Sequence, residues 1–313
     1  MKRAFLGLDV GSISINYVLI DEDRRVIYSS YLRGSGDPLK TIQEGLADLR
    51  AAAADHRVAG VCTTGSGRSL AGLLIGADLV KNEISAHVRA AVELHPEVRT
   101  VIEIGGQDSK VAVLRDGYVA DFAMNLVCAA GTGSFLDSQA RRLGISIEEF
   151  GALAMESENP AAIAGRCTVF AESDMVHKQQ IGYNQKDIVM GLCMALARNF
   201  TGNVCRGKEL LPPFLFQGGV SENPGIRRAF ELILGSPVIV PRYNKVMGAL
   251  GAALLAYEAD IRETRFRGFE VSGYDIKSSA FNCGGCSNNC EIVEVKEGAV
   301  VLAYNGGRCE KWR

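Results

Sequence analysis

Apolar residues recur along this chain in two similar series. Residues 4–10 form a short apolar run ending in Asp9-Val10-Gly11-Ser12, the pattern of a buried strand that turns on glycine. Residues 14–20 and 26–32 are β-rich and are separated by polar Asp21-Glu22-Asp23-Arg24, which predicts a three-strand meander. Pro38 then opens helical spacing to about residue 54, with Leu39, Ile42, Leu46 and Leu49 on one face. A strand over 58–63 leads through Thr64-Gly65-Ser66-Gly67-Arg68 into a helix. A further helix over 83–94 stops before Pro96.

The series then restarts. Residues 100–104 predict a strand ending in Gly105-Gly106-Gln107-Asp108, and 110–114 with 118–125 predict a hairpin across Arg115-Asp116-Gly117. Helices follow at about 132–142, 147–154 and 186–206, and a strand over 214–217 runs into Gly218-Gly219-Val220. A helix (about 224–234), a strand (238–240) and an Ala-rich helix (about 246–258) complete the second series. Strand, glycine turn beside an acid, hairpin, then helices: the shared plan predicts an internally duplicated α/β protein with mixed sheets covered by helices. The expected divisions are a first lobe over 1–98, a second over 99–262 and a Cys-rich extension over 263–313.

Composition fits this picture. A chain of 313 residues with 47% hydrophobic and 22% charged residues can bury a core in each of two lobes. A formal net charge of -2 supplies no field for nucleic acid or an anionic membrane. No apolar run approaches the ~20 residues of a membrane helix. The start, Met1-Lys2-Arg3-Ala4-Phe5-Leu6-Gly7-Leu8-Asp9, reaches an acid too early for a secretory signal, so a cytoplasmic location is expected. There are nine cysteines. Cys62, Cys128, Cys167, Cys193 and Cys205 are scattered, while Cys283, Cys286, Cys290 and Cys309 crowd the end. In a reducing compartment clustered cysteines point to metal or redox chemistry rather than disulfides.

Three glycine turns suit phosphate. Gly7-Leu8-Asp9-Val10-Gly11-Ser12 offers unhindered backbone N–H groups and a carboxylate able to hold Mg²⁺ through water. Ile102-Glu103-Ile104-Gly105-Gly106-Gln107-Asp108 repeats the arrangement, and Gln217-Gly218-Gly219-Val220-Ser221-Glu222-Asn223 could pass close to an adenosine. Neither a Walker A sequence nor a Gly-x-Gly-x-x-Gly directly after a strand is present. The three turns together resemble the actin-like superfamily of sugar kinases, Hsp70 and acetate kinase. The resemblance implies two duplicated lobes that clamp ATP-Mg²⁺. Asp9, Gly11 and Ser12, continuing into Ile13 and Ser14, would form the first phosphate hairpin. Gly105, Gly106, Gln107 and Asp108 would form the second, and Gly218, Gly219, Val220 and Glu222 the adenosine turn. Asp9, Gln107 and Asp108 would position water or metal for hydrolysis.

Two cysteines stand apart from the rest. Cys128-Ala129-Ala130-Gly131-Thr132-Gly133 and Gly165-Arg166-Cys167-Thr168-Val169-Phe170 each place a thiol just ahead of an expected helix, where N-terminal N–H groups face the sulfur or what it binds. For one such segment alone a packed turn with a buried thiol is the competing reading. Two thiolates do not complete a tetrahedral metal site or a [4Fe–4S] cluster, but a symmetric dimer would supply four. With Asn82-Glu83-Ile84-Ser85-Ala86-His87 and the second phosphate turn, these motifs resemble the activator ATPases of 2-hydroxyacyl-CoA dehydratases and benzoyl-CoA reductases over about residues 3–258. The resemblance implies a homodimer holding one [4Fe–4S] cluster on Cys128 and Cys167 of each chain. It implies too that ATP hydrolysis drives low-potential electron transfer to a partner dehydratase or reductase, with ferredoxin or flavodoxin as donor. Glu103 stands where the family sometimes has Asp, and the strand-end acid is kept. Cys62, Cys193 and Cys205 read as core residues, and His87 and His177 as polar helix positions. Glu83 reads either as a residue near the nucleotide or as a helix N-terminal acid.

The tail reads C-x₂-C-x₃-C (Cys283, Cys286, Cys290), a hairpin over 292–304, then Cys309. Folding back would bring Cys309 near the others, and four thiolates suit Zn²⁺ or an Fe–S cluster; bare thiols or disulfides are the alternative. The short dehydratase activators lack such a tail. It resembles the extension of differently partnered activases, including reductases of double-cubane-cluster proteins. Two other functions compete: a small-molecule (sugar) kinase of the same fold, which needs no cysteines at helix starts, and an ATP-switched regulator with a Zn²⁺ tail.

Overall fold

The computed structural model describes residues 1–34, 36–125 and 128–312. Leu126 and Val127, in the stretch that leads to Cys128, lie outside the described residues. The chain opens with β1 (Lys2–Val10), β2 (Ser14–Asp21) and β3 (Val26–Arg33), then α1 (Pro38–Ala52), β4 (His56–Thr64), α2 (Arg68–Ile75), β5 (Leu79–Val80) and α3 (Glu83–Leu94). The strands form one sheet of order β3-β2-β1-β4-β5, an antiparallel meander on one side of β1 and parallel strands on the other. Asp37 caps α1 by accepting from the Lys40 backbone N–H, with Pro38 at the start of the helix. Leu39, Ile42, Leu46 and Leu49 are buried as their spacing predicts.

The second series repeats that topology. It comprises β6 (Thr100–Ile104), β7 (Ser109–Arg115), β8 (Tyr118–Asn125), α4 (Gly133–Leu143), α5 (Ile147–Met155), α6 (Thr168–Gln180), α7 (Gln185–Asn203), β9 (Phe214–Gln217), α8 (Pro224–Leu234) and β10 (Val238–Ile239). Its sheet order, β10-β9-β6-β7-β8, has the same meander and the same parallel flank. Phe200, Phe216 and Phe230 meet edge to face at its centre, with centroids 5.2 and 5.5 Å apart.

The Ala-rich helix α9 (Met247–Glu258) closes the second series, but the compact units do not follow the expected boundaries. One unit comprises Met1–Ala90 with Gly248–Arg313, and the other Ala91–Met247. Almost all of α9 therefore belongs with the first strands. Close packing explains this: a methyl on Gly7 of β1 would collide with the Ala249 carbonyl and the Ala253 nitrogen of α9. The chain after α9 also stays on the first unit. Thr264 and Arg265 bond the Asp78 carboxylate, the Gln43 side-chain amide donates to the carbonyls of Val271 and Tyr274, and Val271 is fully buried. Only then comes the tail proper. The expected hairpin is a three-stranded antiparallel sheet, β11 (Ile276–Asn282), β12 (Glu291–Glu297) and β13 (Val300–Asn305). β11 escapes a pattern-based reading because nearly all of it is exposed. No helix among the described residues is long and apolar enough to cross a membrane.

Candidate nucleotide site and accessible thiols

In the first unit β1 delivers Asp9 to the β1–β2 turn, which Gly11 closes by donating to the Ser14 carbonyl at 3.0 Å. The loop after β4 wraps this turn, with the Gly67 N–H on the Val10 carbonyl at 2.8 Å. Gly11 and Ser12 are exposed, and Ile13 and Ser14 half-buried, so this backbone is open to a ligand. Asp9 is nearly enclosed. His87 of α3 places Nε2 3.9 Å from Asp9 Oδ2, and both side chains are largely buried. His87 is thus a neighbour of the first turn's carboxylate, which its reading as a polar helix position missed. Glu83 opens α3 and is half-buried.

In the second unit β6 ends at Ile104, and the turn is closed by the Gly105 N–H on the Asp108 carbonyl at 3.0 Å. Lys110 was not among the expected site residues. It faces Glu103 across the β6–β7 pair and puts its ammonium 2.8 Å from Glu103 Oε2 and 3.0 Å from Asp108 Oδ2. Its signal was a lysine directly opposite an acid within an apolar hairpin. The pair is desolvated, with Lys110 4% and Glu103 6% exposed, so its charges are weakly screened. Gln107 is exposed and Asp108 half-buried. Gly218 lies against the same strand end: at φ 88 it adopts a backbone that suits glycine, and a methyl there would strike the Ile104 carbonyl and the Glu103 carboxylate. Gly219 and Glu222 beyond it are exposed and Val220 is buried. Asn244 braces this turn, accepting from the Gly218 N–H at 2.8 Å and donating to Ser221 Oγ at 2.9 Å and Glu222 Oε1 at 2.6 Å. The Asn244 amide, with Lys245 3.0 Å away, holds the Glu222 carboxyl below the usual range.

The two singled-out cysteines lie in this unit. Cys128 is half-buried, and Asn125 grips its backbone from both sides: the Cys128 N–H donates to Asn125 Oδ1 at 2.9 Å and Asn125 Nδ2 donates to the Cys128 carbonyl at 2.7 Å. A short 3-10 turn (Ala129–Gly131) follows, and α4 begins only at Gly133, so Cys128 does not sit directly on an α-helix start. The first N–H groups of α4 do not face the sulfur either. Gly133 donates to the Gly105 carbonyl at 2.9 Å, and Ser134 to the Gly106 carbonyl through both its N–H (2.8 Å) and its hydroxyl (2.5 Å). Unpaired N-terminal donors take the nearest acceptors, here those of the phosphate turn. Cys167 matches the expectation in position: it is exposed and extended and stands directly before α6, though its side chain makes no capping hydrogen bond. Val169 and Phe170 in the first turn of α6 are 65% and 63% exposed. Cys62, Cys193 and Cys205 are core thiols, Cys62 and Cys205 pushed up to about 12 by burial.

The matching sequence model decides the family: the BadF/BadG/BcrA/BcrD ATPase family matches residues 6–256. The chain belongs to that ATPase family. It is 35% identical over 257 residues to the (R)-2-hydroxyglutaryl-CoA dehydratase activating ATPase of Acidaminococcus fermentans, covering 81% of this chain and 96% of the relative. It is 36% identical over 260 residues to the activator of lactoyl-CoA dehydratase of Anaerotignum propionicum, covering 81% and 97%. The solved structure of the activator of 2-hydroxyisocaproyl-CoA dehydratase from Clostridium difficile, with bound ADPNP, superposes with a TM-score of 0.75 at 34% identity over 82% of this chain and 94% of that one. The duplicated α/β architecture is the actin-like ATPase fold, with an antiparallel C-terminal sheet added. The BadF/BcrA-type protein is an ATPase, and the family match ends before the tail.

The tail differs from expectation. β13 does bring the chain end back, but among the described residues no group of three or more His, Cys, Asp or Glu is gathered as metal ligands. Trp312 takes the central place instead. It packs on Phe281 and Tyr304, with centroids 5.1 and 4.9 Å away, and donates its indole N–H to Cys283 Sγ at 3.2 Å. That bond holds the Cys283 thiol below its usual range. Cys286 and Cys309 are exposed and Cys290 is half-buried.

Proposed function

We propose that this ATPase is an electron activator: a homodimer that carries one [4Fe–4S] cluster on Cys128 and Cys167 of each chain and passes electrons to a partner dehydratase or reductase. The relatives named as dehydratase activators support the partner class. The observation that carries the reading is the contrast among thiols. Cys128 and Cys167 are accessible while Cys62, Cys193 and Cys205 are buried in cores, and the Cys128 segment is hydrogen-bonded to the phosphate turn. Outside the tail, these two accessible thiols per chain fit half of a four-thiolate donor set, and the exposed Val169 and Phe170 beside Cys167 give a second copy an apolar seat. Bound there, such a cluster supplies one-electron transfer at low potential. A ferredoxin or flavodoxin is the donor class that suits it.

The chain's own residues do the rest. Backbone N–H groups at 106–108 and at Ser12 receive phosphates, in turns that the Gly105 and Gly11 N–H groups close, and the turn from Gly218 to Glu222 meets the nucleoside. Asp9 and Asp108 hold Mg²⁺ directly or through water, and exposed Gln107 orients the attacking water. Lys110 keeps Glu103 and Asp108 from repelling the phosphates. Because Gly105 and Gly106 bind the start of α4, a change at the γ-phosphate reaches the backbone beyond Cys128 through three hydrogen bonds. ATP drives that change only as far as it binds two conformations unequally.

The test is anaerobic purification with iron, acid-labile sulfide and sedimentation measured together. The expected result is a brown dimer that loses its iron when Cys128→Ser or Cys167→Ser is introduced, while each chain still binds ATP. Full iron retention after both substitutions, or the same iron content in a monomer, would sink the reading.

A further inference from the structure

Asn199 lies on the buried face of α7, beside Leu196 and Phe200, and is itself only 2% exposed. An amide is a costly choice there unless its groups are used. Its Nδ2 donates to the Gly165 carbonyl at 3.3 Å and also to the Arg166 carbonyl, the two acceptors immediately before Cys167. Its Oδ1 has no hydrogen-bond partner among the described residues and is turned toward Gly131. A methyl on Gly131 would stand 3.1 Å from Asn199 Oδ1, 3.3 Å from Asn125 Nδ2 and 3.6 Å from Ser109 Oγ. Asn125 is the side chain that grips Cys128 from both sides. Ser109 follows Asp108, is fully buried, and its hydroxyl also lacks a partner among the described residues. Three polar side chains, Ser109 just after the phosphate turn, Asn125 beside Cys128, and Asn199 of α7 bonded to the Cys167 segment, therefore converge on one glycine.

We propose that Asn199 is a positioning residue that ties the Cys167 segment to the node around Gly131, so that a nucleotide-driven shift of the phosphate turn moves both thiols together. The inference rests on the reading that Cys128 and Cys167 serve one site. The physical argument is an asymmetry in connections. The Cys128 segment reaches the phosphate turn directly, through Gly133 and Ser134 on the Gly105 and Gly106 carbonyls. The Cys167 segment is bonded by Asn199 Nδ2, and the Oδ1 of the same amide is packed toward Gly131, the last residue of the 3-10 turn that Cys128 caps. A buried amide with one end bonded and the other unpaired gains free energy by taking a partner when its surroundings shift, which an apolar residue cannot do.

The experiment follows the thiols of the full-length protein, stripped of iron, in ADP and in a non-hydrolysable ATP analogue. Alkylation rates of Cys128 and Cys167 are read separately by mass spectrometry. In the wild-type chain both rates should change several-fold between the two nucleotides. In Asn199→Ala the Cys128 response should persist and the Cys167 response vanish, with analogue affinity unchanged. Asn199→Asp keeps the side chain's size but cannot donate to the two carbonyls, so it should give the same split if the alanine variant fails to fold. The proposal is overturned by a variant in which Cys167 still responds, by loss of both responses at intact affinity, or by a wild-type chain in which Cys128 alone responds. Iron content is measured in parallel on anaerobic protein. Absent iron beside an intact paired response would remove the cluster reading and leave the coupling standing.

Discussion

The residues that matter most at the second phosphate turn are a buried trio, and their balance is exposed to a single substitution. Lys110 serves two carboxylates, and Glu103 is almost as buried as the lysine. Removing one member of such a group leaves charge without compensation, a loss of about 3–5 kcal/mol. Lys110→Met is therefore expected to destabilise the protein by roughly that amount and to slow ATP turnover. Glu103→Gln in the same chain should restore part of the stability, as measured by urea unfolding. No recovery in the double variant would show that the pair is not the unit involved. Lys110 was legible only in hindsight, because a lysine after a glycine turn reads as solvated until the strand register sets it opposite Glu103. His87 was missed for a similar reason: helical spacing gives its face, and only tertiary packing puts that face against Asp9.

Among the elements, the strands of both five-stranded sheets except the two-residue β5, and most helices, follow from apolar spacing, since buried strands and amphipathic helices write their period into the sequence. The start of α4 does not. Small residues at 129–134 say that backbone approaches closely, but not that the approaching partner is the Gly105–Gly106 turn rather than a ligand. β11 carries almost no buried face and so no period to read. The start of the loop between α5 and α6 is gathered by one side chain of α7. Asp187, in the first turn of α7, accepts from Ser157 Oγ at 2.6 Å, the Asn159 N–H at 3.1 Å and Asn184 Nδ2 at 2.6 Å. The Ser157 hydroxyl first, then the Asn159 N–H and the Asn184 amide, hold its carboxyl below the usual range. A depressed folded pKa means stability that is present above the unfolded carboxylate's value, about 3.9, and lost as pH falls through the folded one. Asp187→Asn should therefore cost about 1–2 kcal/mol near pH 7, and the gap from wild type should close below about pH 4. Urea midpoints across that range check the sign; a gap that widens in acid would contradict it.

On the scale of the molecule, the residues after α9 all belong to the first unit and divide into a strap and a sheet that follows it. The strap supplies Val271 to the core of the first unit, beside Leu46 and Leu49 of α1, and bonds Gln43 and Asp78. A chain ending at residue 275 should keep the first unit resistant to limited proteolysis. One ending at residue 262 should expose residues 1–90 to cleavage while 91–247 stays protected; equal protection would remove the strap from the core. The division of the compact units then acquires a meaning in time. During synthesis, residues 91–247 leave the ribosome as one uninterrupted stretch and can complete their sheet at once. The strands before that stretch must wait for the residues after it. Gly7 cannot find Ala249, nor Leu46 find Val271, until residues 91–247 have been made. The unit begun earlier is completed after the one begun later, and that interval is where a nascent-chain chaperone would find exposed β1 and β4.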